Sequence, residues 1–155
     1  MLDPNLISAL GFINVVFAGL LAGEEFLVCY GLRAPLGSLE GGVQIPTRQA
    51  LIRRMRILVP AIFFAALVSG VAIAMLGGTG LAFDLRCGGV GALAAFILLT
   101  LTSTVPINKA LLAWDAAAPP ADWRSLIARW ERLDVARAWL ALAAFALFLG
   151  ASQLR

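Results

Sequence analysis

The chain has 155 residues, of which 61% are hydrophobic and 14% charged, with a formal charge of +3. Soluble domains carry roughly a quarter charged residues, so the deficit and the long apolar runs specify a polytopic membrane protein rather than a soluble domain. The chain contains no histidine. That excludes His-ligated haem, zinc and copper and any histidine general base from within it.

Residues 1–155 are expected to form one integral membrane domain, all-α: a four-helix transmembrane bundle with a cytoplasmic amphipathic surface helix before helix 4. There is no dividing linker and no internal repeat. The start, "MLDPNLISAL", is not basic, and the first apolar run exceeds a signal-peptide core, so it is expected to stay as a membrane helix.

Span 1 covers about residues 5–29, and adjacent acids, Glu24 and Glu25, interrupt its apolar run "AGLLAGEEFLVCYG". They lie about 100° apart around a helix, so one is expected to face the bundle and an arginine, and the other a neighbouring span, a partner chain or head groups. Asn14 lies three turns before Glu25 on the same face, which selects Glu25 for the interior. Gly19 and Gly23 form a small-xxx-small pair suited to close helix approach. Tyr30 lies just beyond the acids.

Residues 30–56 make loop 1. Its glycines and prolines in "PLGSLEGGVQIPTRQ" indicate turns, and "TRQALIRRMR" is a basic helical lead-in carrying Arg48, Arg53, Arg54 and Arg56. Its simplest role is anchoring to anionic head groups. Span 2 covers about residues 57–77 and span 3 about 87–108, ending near a kink at Pro106 with Asn108 and Lys109 beyond it.

Loop 3, residues 109–134, contains "APPADWRSLIARWERLD". Its prolines end one helix, and Asp122 is placed to cap the next. Trp123, Leu126, Ile127, Trp130 and Leu133 recur at steps of three and four, the pattern of an interfacial amphipathic helix with its Trp at head-group level. Arg137 continues that stripe beyond Asp134 into span 4, about residues 135–154.

Loops 1 and 3 with Arg137 hold ten basic residues, against Arg86 and Arg155 on the other side. The positive-inside rule puts both loops in the cytoplasm and both termini outside a bacterial inner membrane. Cys29 and Cys87 then lie a membrane apart and should not pair. No metal-ligand spacing is present, and no basic stripe interleaved with aromatics suggests nucleic acid.

The short motifs "GLLAG", "VPINKALLAW" (105–114) and "RWERLDVAR" (129–137) resemble the small four-span anthrone-oxygenase-like family, much of it a bacterial domain of unknown function. The resemblance implies oxidation of anthrones to anthraquinones without a metal or flavin, so no cofactor is expected. It carries the family's polar pattern onto Asn108, Trp130 and Arg137. Asp134 departs from the pattern, because members often have histidine or asparagine there.

Two classes of function are consistent with these residues. One is a cofactor-independent oxygenase of lipophilic phenolic polycycles in a pocket near the cytoplasmic leaflet. Glu25 or Glu24 would be the base and Arg137 the oxyanion partner; Asn14, Asn108, Trp130, Tyr30, Arg53 and Asp134 would line the substrate site. The other is a non-catalytic subunit or scaffold that binds lipid, quinone or a partner membrane chain, or a homo-oligomer, with the acid–base network only fixing helix register. A proton or ion pathway is the weakest option, because the outer halves of the spans carry few polar groups.

Overall fold

A computed structural model describes residues 4–154. All the regular structure among them is helical: α1 (Pro4–Phe26), a π-helical turn (Leu27–Leu32), α2 (Arg33–Gly37), α3 (Gly41–Leu76), α4 (Leu81–Leu99), a second π-helical turn (Thr100–Thr104), α5 (Val105–Ala113) and α6 (Trp123–Gln153). These join into four continuous rods, Asn5–Gly37, Gly42–Leu76, Leu81–Ala113 and Trp123–Gln153, each long and apolar enough to cross a membrane.

The rods pack with α4 most extensively against α6, and with α1 against α3 and α6. Ala18, Leu21, Phe63, Leu93, Phe96 and Phe148 belong to the central core. Phe12, Ile57, Val68 and Met75 stand on the outer surface, where lipid rather than water would surround them. The turn between α3 and α4 uses two glycines with positive φ, Gly78 (84°) and Gly80 (87°), and Arg86 ties it by donating to the Gly77 carbonyl at 2.6 Å.

Of the expected pair, Gly19 serves close approach of the rods and Gly23 does not. A Cβ on Gly19 would come within 3.1 Å of the Phe145 ring, but one on Gly23 would meet nothing within 4 Å. Gly70 and Gly89 are more confined: a Cβ on either would stand 2.8 Å from Phe148. Gly89→Ala is therefore expected to displace that ring and destabilise the bundle by about 1–3 kcal/mol, the range for overpacked cores. Unfolding in mixed detergent measures this, with the exposed Gly91→Ala as the neutral control.

Loop 1 is much shorter than expected. The chain leaves helix only at residues 38–40, and α3 runs unbroken through Pro46 and Pro60. Tertiary packing outweighs the turn signals here. Ile45 and Ile52 are buried against Leu111, Trp123 and Ile127 in a second core cluster, and Gln49 donates to the Leu111 and Trp114 carbonyls at 3.0 Å each. A helix that buries a stripe at three- and four-residue steps tolerates proline better than an isolated one.

The helix before span 4 also differs from a surface anchor. It is the first part of a single helix, α6, and its apolar face is covered by protein: Trp123, Ile127 and Trp130 are all buried. Asp122 occupies the cap position without a side-chain capping bond; its backbone carbonyl accepts from Ser125 instead. Cys29 is buried, Cys87 is exposed, and both are free.

Candidate functional site: a polar cavity at the basic end of the bundle

The two π-helical turns interrupt α1 and α4 on either side of one cavity. Each π-turn inserts a residue into a helix and rotates the residues after it, and such turns are frequent at functional sites. The second turn immediately precedes Pro106, whose missing N–H removes a rung from the ladder. The widened end holds a void that offers about 170 Å³ to the centres of water molecules. One water needs roughly 10–15 Å³ on that measure, so the space suits a ligand of on the order of a dozen heavy atoms.

Val28, Ile52, Met55, Val59 and Val105 give the void an apolar lining, and Glu24, Glu25, Asn108, Trp130, Asp134 and Arg137 a polar one. On α6 the steps from Ile127 through Trp130, Asp134 and Arg137 to Ala141 are three and four residues, so two charged side chains lie on the buried stripe. Glu25 is 2% exposed and accepts from Arg137 Nη2. Arg137 Nη1 donates to Asp134 at 3.2 Å, and the guanidinium carbon lies 5.0 Å from the Phe96 ring centre. One cation thus holds two carboxylates from two helices.

Three buried polar atoms of the cavity wall have no hydrogen-bond partner among the described residues: Glu24 Oε2, Arg137 Nε and Thr104 Oγ1. Burying an unpaired polar atom costs about 1–3 kcal/mol, so a free acceptor and a free donor on one cavity wall are positions for a ligand's polar atoms. Asn108 adds a fourth group. Its Oδ1 accepts from Trp130 Nε1 at 2.9 Å, which leaves its amide nitrogen as donor. Trp130→Phe keeps the ring and removes that bond; it is expected to lower ligand affinity about three- to tenfold, the worth of one hydrogen bond, as titration with a quinone would measure.

A further network braces the site from behind. Arg48, 1% exposed, pairs with Glu131 at 2.8 Å, and Arg33 pairs with the same carboxylate at 2.9 Å. The Arg48 guanidinium also lies 5.4 Å from the Trp130 ring centre.

The structure brings Glu24, Glu25, Asn108, Trp130, Asp134 and Arg137 together. It does not bring Asn14, Tyr30 or Arg53 to the cavity. Asn14 is buried higher in the bundle and donates to the Ala66 carbonyl at 2.9 Å and to Ser69 Oγ at 3.3 Å. Sharing a helix face with Glu25 places it in the interior, but three turns away. Tyr30 is exposed and packs on the exposed Phe26, four residues before it. Arg53 is exposed and lies off the face of α3 that carries Ile52, Met55 and Val59.

Arg48, Arg56, Thr100 and Thr104 are site residues that the sequence reading does not select. Arg48 alone is detectable, as the arginine in step with Ile45 and Ile52; the threonines depend on the π-turn, which leaves no pattern in the residues. Among the described residues, no group of three or more Cys, Asp or Glu could hold a metal ion.

No match was found among curated proteins or among solved structures. The anthrone oxygenase family model matches residues 49–147, a stretch that contains Asn108, Trp130, Asp134 and Arg137 and leaves out Glu24 and Glu25. With more than half of its length matched, this four-helix, membrane-spanning chain belongs to the anthrone oxygenase family.

Proposed function

We propose that the protein oxidises a lipophilic, anthrone-like phenolic polycycle with molecular oxygen in this cavity, and that Glu24 is the base. The observation that carries the reading is that Glu24 Oε2, an acceptor, and Arg137 Nε, a donor, are buried without hydrogen-bond partners among the described residues, on two residues that line the cavity. Glu25 and Asp134 are both engaged by Arg137, so Glu24 is the carboxylate left to take a proton. Glu25 and Asp134 then hold the guanidinium in place.

The chemistry balances without a further reductant. Glu24 removes a proton from the activated methylene, and the charge moves onto the ketone oxygen as a phenolate. Arg137 Nε and the Asn108 amide donate to that oxyanion. The electron-rich ring gives up electrons to oxygen, and a carbon–oxygen bond forms at the former methylene to give a hydroperoxide. Loss of the remaining hydrogen there and cleavage of the O–O bond release water and leave the second carbonyl. Overall, anthrone and oxygen become anthraquinone and water. The apolar wall formed by Val28, Met55 and Val59 accepts the rings and keeps bulk water from the carbanion.

The same reading sets the basic end of the bundle in the cytoplasm. Arg33, Arg48 and Arg56 belong to that end together with the α6 arginines, while Arg86 lies beside the α3–α4 turn at the other. The test is oxygen uptake by purified protein in nanodiscs supplied with anthrone. One oxygen consumed per anthraquinone formed, above the uncatalysed rate, is expected. A rate equal to that of empty nanodiscs would reject the assignment.

A further inference from the structure

The cavity is electrically asymmetric. Its inner wall carries three carboxyl groups, Glu24, Glu25 and Asp134, against one guanidinium, Arg137. Glu24 makes no ion pair there, and its Oε2 has no hydrogen-bond partner among the described residues. The outer rim carries the opposite sign. Arg56 lines the cavity, is exposed, and makes no hydrogen bond, ion pair or ring contact among the described residues.

Arg56 differs from its neighbours in register. Ile52, Met55, Arg56, Val59 and Pro60 line the cavity at steps of one, three and four, so Arg56 belongs to the face of α3 that looks into it. Arg53 and Arg54 are exposed and lie off that face. They are the arginines suited to a membrane surface. Pro60 is one turn further on, and it removes the N–H that would bond the Arg56 carbonyl.

The geometry points to an acidic aromatic substrate, oriented with its rings on the apolar wall and an anionic substituent, a carboxylate or ionised phenol, at Arg56. Arg56 is then the specificity-determining residue. The excess of carboxyl groups at the inner end repels such a group, and an unpartnered guanidinium at the mouth receives it. The polarity places the opposite end of the ring system, where the reacting methylene would be, against Glu24. This inference rests on the reading of the cavity as a substrate site, but it concerns binding and not turnover.

The test is binding of two quinones that differ in charge, anthraquinone and anthraquinone-2-carboxylate, to the full chain in zwitterionic nanodiscs. Quenching of tryptophan fluorescence reports occupancy, since Trp130 lines the cavity. The carboxylate is expected to bind about tenfold tighter, the worth of a hydrogen bond to a charged group. Arg56→Gln should abolish the preference while changing affinity for the neutral quinone less than twofold, and Arg53→Gln and Arg54→Gln should retain it.

Equal binding of the two quinones to the wild-type chain would overturn the proposal, as would an unchanged preference in Arg56→Gln. A preference that disappears when anionic lipid is added, with neutral binding unaltered, would assign Arg56 to a lipid phosphate and overturn it equally. Should Arg56→Gln fail to fold, Arg56→Lys retains the charge and must retain the preference. A chain that binds the carboxylate selectively but oxidises nothing would sink the oxygenase reading and leave this one standing.

Discussion

Replacing Arg137 with alanine is expected to destabilise the protein by about 3–5 kcal/mol and to abolish activity, the largest effect of any single substitution in the site. The magnitude is that of removing one partner from a buried ion pair. Here two carboxylates lose their counter-charge at once, because Glu25 and Asp134 both depend on the one guanidinium and both are at most 3% exposed. Unfolding in detergent measures the first effect. Restoring neutrality shows whether charge is the cause: Arg137→Met combined with Glu25→Met should recover much of the stability, since an apolar pair replaces a buried ionic one with little loss. It should not recover turnover, because Arg137 Nε is also the proposed oxyanion donor. If Arg137→Ala unfolds no more readily than the wild type, the ion pair does not hold α1 to α6.

Glu24→Gln is expected to behave in the opposite way, with the fold intact and turnover reduced by about 10²–10⁴-fold, the usual worth of a positioned general base. Glutamine matches glutamate in shape and cannot take the proton. Glu24 carries no ion pair among the described residues, so its removal leaves no buried charge stranded. The comparison with Glu25→Gln separates the roles. Glu25→Gln removes the negative charge that Arg137 faces and should lower stability together with rate, whereas Glu24→Gln should lower rate alone. Melting temperature and rate, measured on both variants, give four numbers that must fall in that pattern.

Much of the architecture was legible because it derives from hydrocarbon length and helical period. Four apolar runs produced four membrane-capable rods. The eleven-residue spacing from Leu126 to Arg137 extended the α6 stripe inward, and the spacing from Asn14 pointed to Glu25, the carboxylate that meets Arg137. The limits had physical causes. Pro46 and the glycines around it suggested turns, but burial of Ile45, Arg48 and Ile52 carried the helix through them. Trp123 resembled a head-group anchor, and its ring is instead covered by Leu111 and Ile45. Neither outcome could be read from one segment alone, because in both the pairing that decides it joins α3 to residues more than sixty positions away in the chain.

The π-turns explain the rest. Helical arithmetic assumes 3.6 residues per turn, and it fails where a residue is inserted. Tyr30, expected just beyond the acids, lies within the first such turn and faces outward. Thr100 and Thr104 lie within the second and line the cavity. Thr100 does bond to the Phe96 carbonyl at 2.7 Å; Thr104 Oγ1 has no such partner among the described residues.

The most direct test of the account is a paired measurement on Glu24→Gln: affinity for a bound anthraquinone and the rate of anthrone oxidation under saturating oxygen. A free carboxyl acting as base predicts quinone affinity within about twofold of wild type and a rate lower by about two orders of magnitude or more. Wild-type turnover by Glu24→Gln would contradict the account outright, and the carboxyl groups at this end of the bundle would then be there to join helices and nothing more.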